Sequence, residues 1–178
     1  DATPTTNIAS HARLTASNVP VPVQYWLRAL NDGKVRPSPL PPDMWATWTR
    51  NNPPQQWVLY QWDSVVTVQG ASIDFWSDQP AGAGVGVAVP RAWRFEYWDD
   101  HNWVPVAASS PYTSESHAEN RVAFTTMRTR CLRAVFDAST DGKTFAAVAA
   151  QEWRVFATVA RAPRRVTSKF GASANCEP

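Results

Sequence analysis

The sequence predicts an all-β fold, an antiparallel β-sandwich of about eight short strands. Three observations lead there. The stretch Val87 to Val106, VAVPRAWRFEYWDDHNWVPV, alternates with period two: Trp93, Phe95 and Tyr97 fall on one face, and Arg94, Glu96 and Trp98 on the other. Short apolar runs recur between turn signals along the rest of the chain. No stretch carries the apolar stripe of an amphipathic helix.

Taken in order, residues 1–6 are polar and expected to fray. Asn7-Ile8-Ala9 through Thr15-Ala16-Ser17 predicts a short edge strand. Asn18 to Leu27 is a loop stiffened by Pro20 and Pro22, and it carries Tyr25 and Trp26. Aromatics there form either a lid over the core or a ligand platform. Asn31-Asp32-Gly33 is a turn signal. Pro37, Pro39, Pro41 and Pro42 keep the next segment extended, and Trp45, Trp48 and Arg50 follow it.

Trp57 to Trp62 is a strand with apolar residues on both faces, hence a central one. Asp63-Ser64 is expected to turn the chain, with further strands at Val65–Val68 and Ala71–Trp76. Ser77 to Gly86, SDQPAGAGVG, is a glycine-rich loop expected to be mobile. It lacks the Gly-Lys-Ser/Thr and the following helix of a phosphate loop. The aromatic hairpin comes next, turning at Asp99-Asp100-His101-Asn102. Glu96, opposite the aromatic face, is expected in solvent. Val122–Phe124, Cys131–Phe136 and Trp153–Phe156 complete the set, with Asp141-Gly142 turning between the last two.

A chain of 178 residues is long enough for one well-buried domain. We place that domain at residues 1–160, with 161–178 as a tail or linker. The ten Trp are hard to hide in a domain of this size, so some are expected at the surface. Four of the 17 Lys and Arg lie beyond residue 160, leaving 13 against 14 acids and a net −1 over residues 1–160. A neutral body argues against a phosphate-tracking nucleic-acid groove. No apolar run reaches the ~20 residues of a membrane span. Cys131 and Cys176 have no C-x-x-C spacing; they are either a disulfide pinning the tail or two separate thiols. The start at Asp1 fits a mature terminus or an excised piece, and export is the expectation.

The ordered set Asn7-Ile8-Ala9, Thr15-Ala16-Ser17, Leu30-Asn31-Asp32-Gly33, Trp57-Val58-x-Tyr60, Leu132-Arg133 and Glu152-Trp153-x-Val155 resembles the discoidin, or coagulation factor 5/8 type C, family. That family has the galactose-binding-like β-sandwich, a jelly roll. The hairpin together with Glu152-Trp153 is similar to the variant appended to bacterial polysaccharide-degrading enzymes, where it acts as a carbohydrate-binding module. The resemblance implies a ligand held by loops at one end of the sandwich. Mapped here, those loops are Asn18–Leu27, the segment from Trp45 to Arg50, and Ser77–Gly86. It also implies a structural calcium held by Asp32 and Glu152. Lys34-Val35-Arg36 stands where the family usually has oxygen-bearing residues, and a salt bridge or capped turn is the competing reading.

A sugar site needs a flat apolar ring for the C–H face of a pyranose and planar polar groups for its hydroxyls. Tyr25, Trp26, Trp45, Trp48 and Arg50 offer these, with Asp78 as an acceptor. Trp57, Trp62, Trp76, Trp93 and Trp153 lie on strands and are expected in the core. No catalytic constellation emerges. His11, His101 and His117 sit in no metalloprotease or nucleophile motif. Asp99 and Asp100 are adjacent turn residues and do not face each other across a cleft. The expected function is a non-catalytic module that targets a secreted glycoside hydrolase or polysaccharide lyase to its polymer. Its partners would be a polysaccharide or oligosaccharide and a catalytic domain of the same polypeptide, with no nucleic acid, and the chain would be monomeric. The competing reading is a lipid- or protein-binding adhesion domain.

Overall fold

The computed structural model describes residues 4–17, 26–39, 43–158 and 176. Eight strands form: β1 (Thr5–Asn7), β2 (Arg13–Ala16), β3 (Trp45–Ala46), β4 (Gln55–Trp76), β5 (Ala92–Trp98), β6 (Trp103–Pro105), β7 (Glu119–Asp137) and β8 (Ala149–Thr158). Two short 3-10 turns, Ala9–His11 and Leu27–Asn31, are the only helical elements among the described residues. All strand pairs are antiparallel. The order is β1-β8-β4-β7-β5-β6, with β2 added on β4 and β3 on β8.

Two long strands make this continuous sheet into two layers. The first part of β4 lies between β2 and the end of β7, and its second part lies between β8 and the start of β7. Between them the register jumps: Gln61 faces Cys131, but Val66 faces Thr129. β4 therefore carries extra residues at Asp63-Ser64. The expected chain reversal there is instead an irregularity within one strand, with Asp63, Ser64 and Val65 exposed. Such insertions bend a strand sharply. The same merging joins the two segments expected at Val122–Phe124 and Cys131–Phe136 into β7.

The bend brings aromatic faces together. Trp153 of β8 stacks on Tyr60 of β4 at 3.8 Å between centroids and lies 5.8 Å from Phe95 of β5. Phe75 meets Trp93 and Phe136 edge-on at 5.2 and 5.9 Å. Trp93 and Phe95 are buried and Tyr97 packs at the margin of the same core, as the alternation predicts. Of the strand tryptophans, Trp62, Trp93 and Trp153 are buried, whereas Trp57 and Trp76 are half-buried.

The outer face of the β4–β7–β5 layer departs from expectation. Glu96 is buried, not solvated. Its carboxylate accepts from Nε of Arg94 at 2.7 Å and from Nε of Arg133 at 2.6 Å. Arg133 also lies over the Trp103 ring at 4.3 Å. Cross-strand pairing of Glu96 with Arg133 supplies the partner that local sequence does not show. At the far end of the hairpin, Asp99 caps its own turn by accepting from the backbone N–H of His101 and Asn102. Those donors hold its carboxyl below the usual range.

Beside this face Cys131 and Cys176 form a disulfide, with Cα atoms 6.4 Å apart. Both are buried, in a small cluster with Leu59 that Trp57, Trp98 and Trp103 flank. This cluster explains why β4 is apolar on both faces. The bridge closes a loop of sequence separation 45. Constraint of the unfolded chain by such a loop stabilises by about 2–4 kcal/mol. Cys131→Ser, or reduction, is expected to lower the urea midpoint accordingly while leaving the far-ultraviolet spectrum β-rich.

Candidate functional site

At one end of the sandwich β3, β4, β5 and β8 begin or finish, and their connections meet there. The β3–β4 connection supplies Trp48 to Asn52, the β4–β5 connection supplies Gly84 to Gly86, and the β7–β8 connection supplies Lys143 to Phe145. Together they line an open groove of about 340 Å³. Two of the three loops expected to carry the site thus come together. The Asn18–Leu27 loop lies outside the described residues except at Trp26 and Leu27. Tyr25 is among those not described. Trp26 is half exposed but does not line the groove.

The groove's backbone is held by polar side chains. Asn52 accepts from the Thr49 N–H at 2.9 Å and donates to the Phe145 carbonyl at 3.1 Å, tying the first wall to the third. Asp141 accepts from the N–H groups of Lys143 and Thr144 at 2.8 and 2.9 Å. These donors hold its carboxyl below the ordinary range. The Thr144 hydroxyl donates to the Gly84 carbonyl, joining the third wall to the second. Asp78 Oδ1 accepts from the Val87 N–H at 2.6 Å and so closes its own loop. Asp78, expected as an acceptor, closes its own loop through Oδ1 and is not itself part of the groove lining.

The glycines of the second wall answer to this packing. A Cβ at Gly84 would lie 2.5 Å from Asp141 Oδ1 and 2.6 Å from the Thr144 carbonyl, so only glycine allows the approach. Gly86 has φ +64°, which glycine adopts without strain. The C-terminal end of the loop expected to be mobile is anchored by the 139–147 connection at Gly84 and Gly86.

Three side chains carry no such duty. Trp48 is 42% exposed, and Arg50 and Lys143 are exposed. Among the described residues none of the three side chains makes a hydrogen bond, an ion pair or a ring contact. Val85, 58% exposed, adds apolar surface to the opposite wall. The arrangement offers a flat ring, an apolar flank and two free cations in one depression. Lys143 and Val85 were not singled out from the sequence. Asp141-Gly142 marks their neighbourhood as a turn, but nothing local places it beside Gly84.

Trp45 corrects an expectation. It is fully buried and cannot present its ring to a ligand. β3 pairs with β8 so that Trp45 and Ala46 oppose Ala150 and Ala149, and these small residues leave room for the indole to reach Phe136 at 5.9 Å. Trp45→Ala is expected to cost about 3–5 kcal/mol of stability, as a cavity mutation does. A urea titration of this variant checks it.

The two carboxylates expected at the calcium position, Asp32 and Glu152, both engage the turn backbone. Glu152 Oε2 accepts from the N–H groups of Gly33 and Lys34 at 2.9 and 3.1 Å, and Asp32 Oδ1 accepts from Lys34 N–H at 2.9 Å. Among the described residues no third His, Cys, Asp or Glu joins them. Calcium takes about six to eight oxygens. Here backbone donors occupy Glu152 Oε2 and Asp32 Oδ1, as in a capped turn, while Glu152 Oε1 is buried without a hydrogen-bond partner.

Burial pushes the Glu152 carboxyl up to about 7, with the Asp32 charge adding to it and Arg154 and the two N–H donors opposing it. The folded chain thus holds this proton more tightly than the unfolded chain does. Its contribution is fully present below about pH 4.5, the unfolded value, and is lost as pH rises through about 7. The ceiling is about 3 kcal/mol. Urea midpoints measured between pH 5 and 8 are expected to fall with pH, and Glu152→Gln to flatten that slope.

No protein-family model matches the chain, and no curated protein matches it. Solved structures do. A chain of the β-galactosidase BgaA from Streptococcus pneumoniae superposes with a TM-score of 0.64 at 19% identity, over 84% of this chain and 97% of that one. The family 32 carbohydrate-binding module of NanJ from Clostridium perfringens, solved in complex with galactose, gives 0.60 at 12% identity, over 85% and 98%. Chitosan-binding module 1 from the chitosanase/glucanase of Paenibacillus sp. IK-5 gives 0.57 at 18% identity, over 84% and 98%. The chain thus has the antiparallel β-sandwich fold of these solved structures, two of which are carbohydrate-binding modules.

Proposed function

We propose that this chain is a non-catalytic carbohydrate-binding module, and that the groove at Trp48 is its binding site. The observation that carries this is the side chain of Trp48. It stands partly out of the protein in the groove, without a hydrogen bond or ring contact among the described residues, in a lining that also holds Arg50 and Val85. An indole so placed stacks on the C–H face of a pyranose, and a guanidinium pairs with vicinal oxygens. The shared fold supports the reading, because modules of that fold include ones described as binding galactose, chitosan and pectin.

In this reading the chain acts by tethering. A module joined to a glycoside hydrolase or polysaccharide lyase raises the enzyme's concentration at the polymer without new chemistry. The Cys131–Cys176 disulfide favours an oxidising, extracellular setting. No helix among the described residues is long and apolar enough to cross a membrane.

Trp48→Ala is expected to weaken polysaccharide binding at least about tenfold, as loss of a central aromatic anchor does, with an unchanged melting temperature. Affinity electrophoresis on a panel of soluble polysaccharides reads this directly. Unaltered retention of the variant would remove the site. Pelleting with phosphatidylserine vesicles and no response to any glycan would favour the adhesion reading.

A further inference from the structure

We propose that the groove takes an acidic polysaccharide, one bearing carboxylate or sulfate groups. The proposal rests on the carbohydrate-binding reading above and adds the charge of the ligand. It stands on an imbalance within the groove. Arg50 and Lys143 both line it, and no Asp or Glu does.

The two nearest acids do not line the groove. Asp141 is turned onto the N–H groups of Lys143 and Thr144 and packs against Gly84, and Asp78 is turned onto the Val87 N–H. Five cations elsewhere in the domain are matched, Arg13 by Asp63, Arg36 by Asp43, Arg94 and Arg133 by Glu96, and Arg154 by Asp74, whereas Arg28, Lys34, Arg91, Arg121, Arg128 and Arg130 show no ion pair among the described residues and lie outside the groove. Among the described residues Arg50 and Lys143 have no such partner. Two cations thus stand on the lining of one concave place, with the nearest carboxylates set on the backbone behind it.

A depression with low-dielectric walls concentrates such a field and draws in anions. The two cations also divide the work. The Arg50 fork matches the paired oxygens of a carboxylate or sulfate, and the Lys143 ammonium acts as a mobile point charge on the facing wall. Trp48 in the same lining supplies the ring face. A neutral sugar would use Trp48 and leave both charges unanswered; a cationic polymer would be repelled.

The test is affinity electrophoresis and calorimetry of the whole chain on four polymers: polygalacturonate, a sulfated galactan, an unsulfated neutral galactan and chitosan. Retention by one or both acidic polymers, and not by the other two, is expected. Polygalacturonate against sulfated galactan separates carboxylate from sulfate. Arg50→Gln and Lys143→Gln are each expected to weaken that binding about tenfold, the scale of one charge-assisted contact. Added salt is expected to weaken the wild-type chain to a similar degree. Both residues are exposed, so melting temperatures should not move.

Equal binding of the neutral galactan, insensitive to both glutamine variants but abolished by Trp48→Ala, would overturn the acidic ligand and leave the sugar site standing. So would preferential retention by chitosan. Acidic binding untouched by either variant would overturn the groove as its seat. Retention by no polymer would overturn the carbohydrate reading itself.

Discussion

Tyr60 lies flat against Trp153, and much of the structure depends on that contact. The two rings come from strands in opposite layers, nearly parallel at 12°. Each buries area that dominates a core of this size. The Tyr60 hydroxyl also lies 2.9 Å from the carbonyls of Leu30 and of Trp153. One buried residue therefore joins the layers and fixes the turn at Leu27–Asn31, which leads into Asp32-Gly33. The neighbour of Trp153, Glu152, then takes the amides of Gly33 and Lys34. Without the stack neither the layer spacing nor the loop that follows Leu30 has a fixed reference.

The fold class is legible in the chain because a pleat has a strict period. Trp93, Phe95 and Tyr97 must share a face whatever lies opposite them, so the aromatic hairpin can be identified locally. Strand ends are another matter. Asp63-Ser64 has turn chemistry, and a turn and an insertion within a bent strand use the same polar residues. Only the partner strand, where Thr129 and Cys131 continue the ladder, distinguishes the two. Glu96 shows the same limit. Its burial follows from Arg133 on the adjacent strand, a residue 37 positions away.

The site was legible only in part, for a related reason. Trp45 and Trp48 look alike in sequence, three positions apart after a run of prolines. Their fates differ because Trp45 has joined β8 for two residues, too few to show a period, opposite a pair of alanines. Trp48 falls just past that pairing and turns outward. Arg50 and the glycine loop were visible as components. The third wall was not, because Thr144 reaches Gly84 across 60 residues and no local signal encodes that meeting.

The groove separates two jobs that a single side chain cannot combine. Backbone polar groups in a loop must find partners, or the loop loses its shape. In this rim that task falls to Asn52, Asp78, Asp141 and Thr144, each of which engages backbone N–H or carbonyl groups. Trp48, Arg50 and Lys143 stand on the scaffold those residues hold and take no part in it. Their replacement therefore changes what the rim presents and leaves the rim in place. Asp78 and Asp141 illustrate the converse. Each has the right chemistry to contact a sugar hydroxyl, yet freeing either carboxylate would release the backbone that positions the indole and the cations. A loop carboxylate already holding two or more backbone contacts, as Asp141 does, is a builder of the site and not a reader of the ligand.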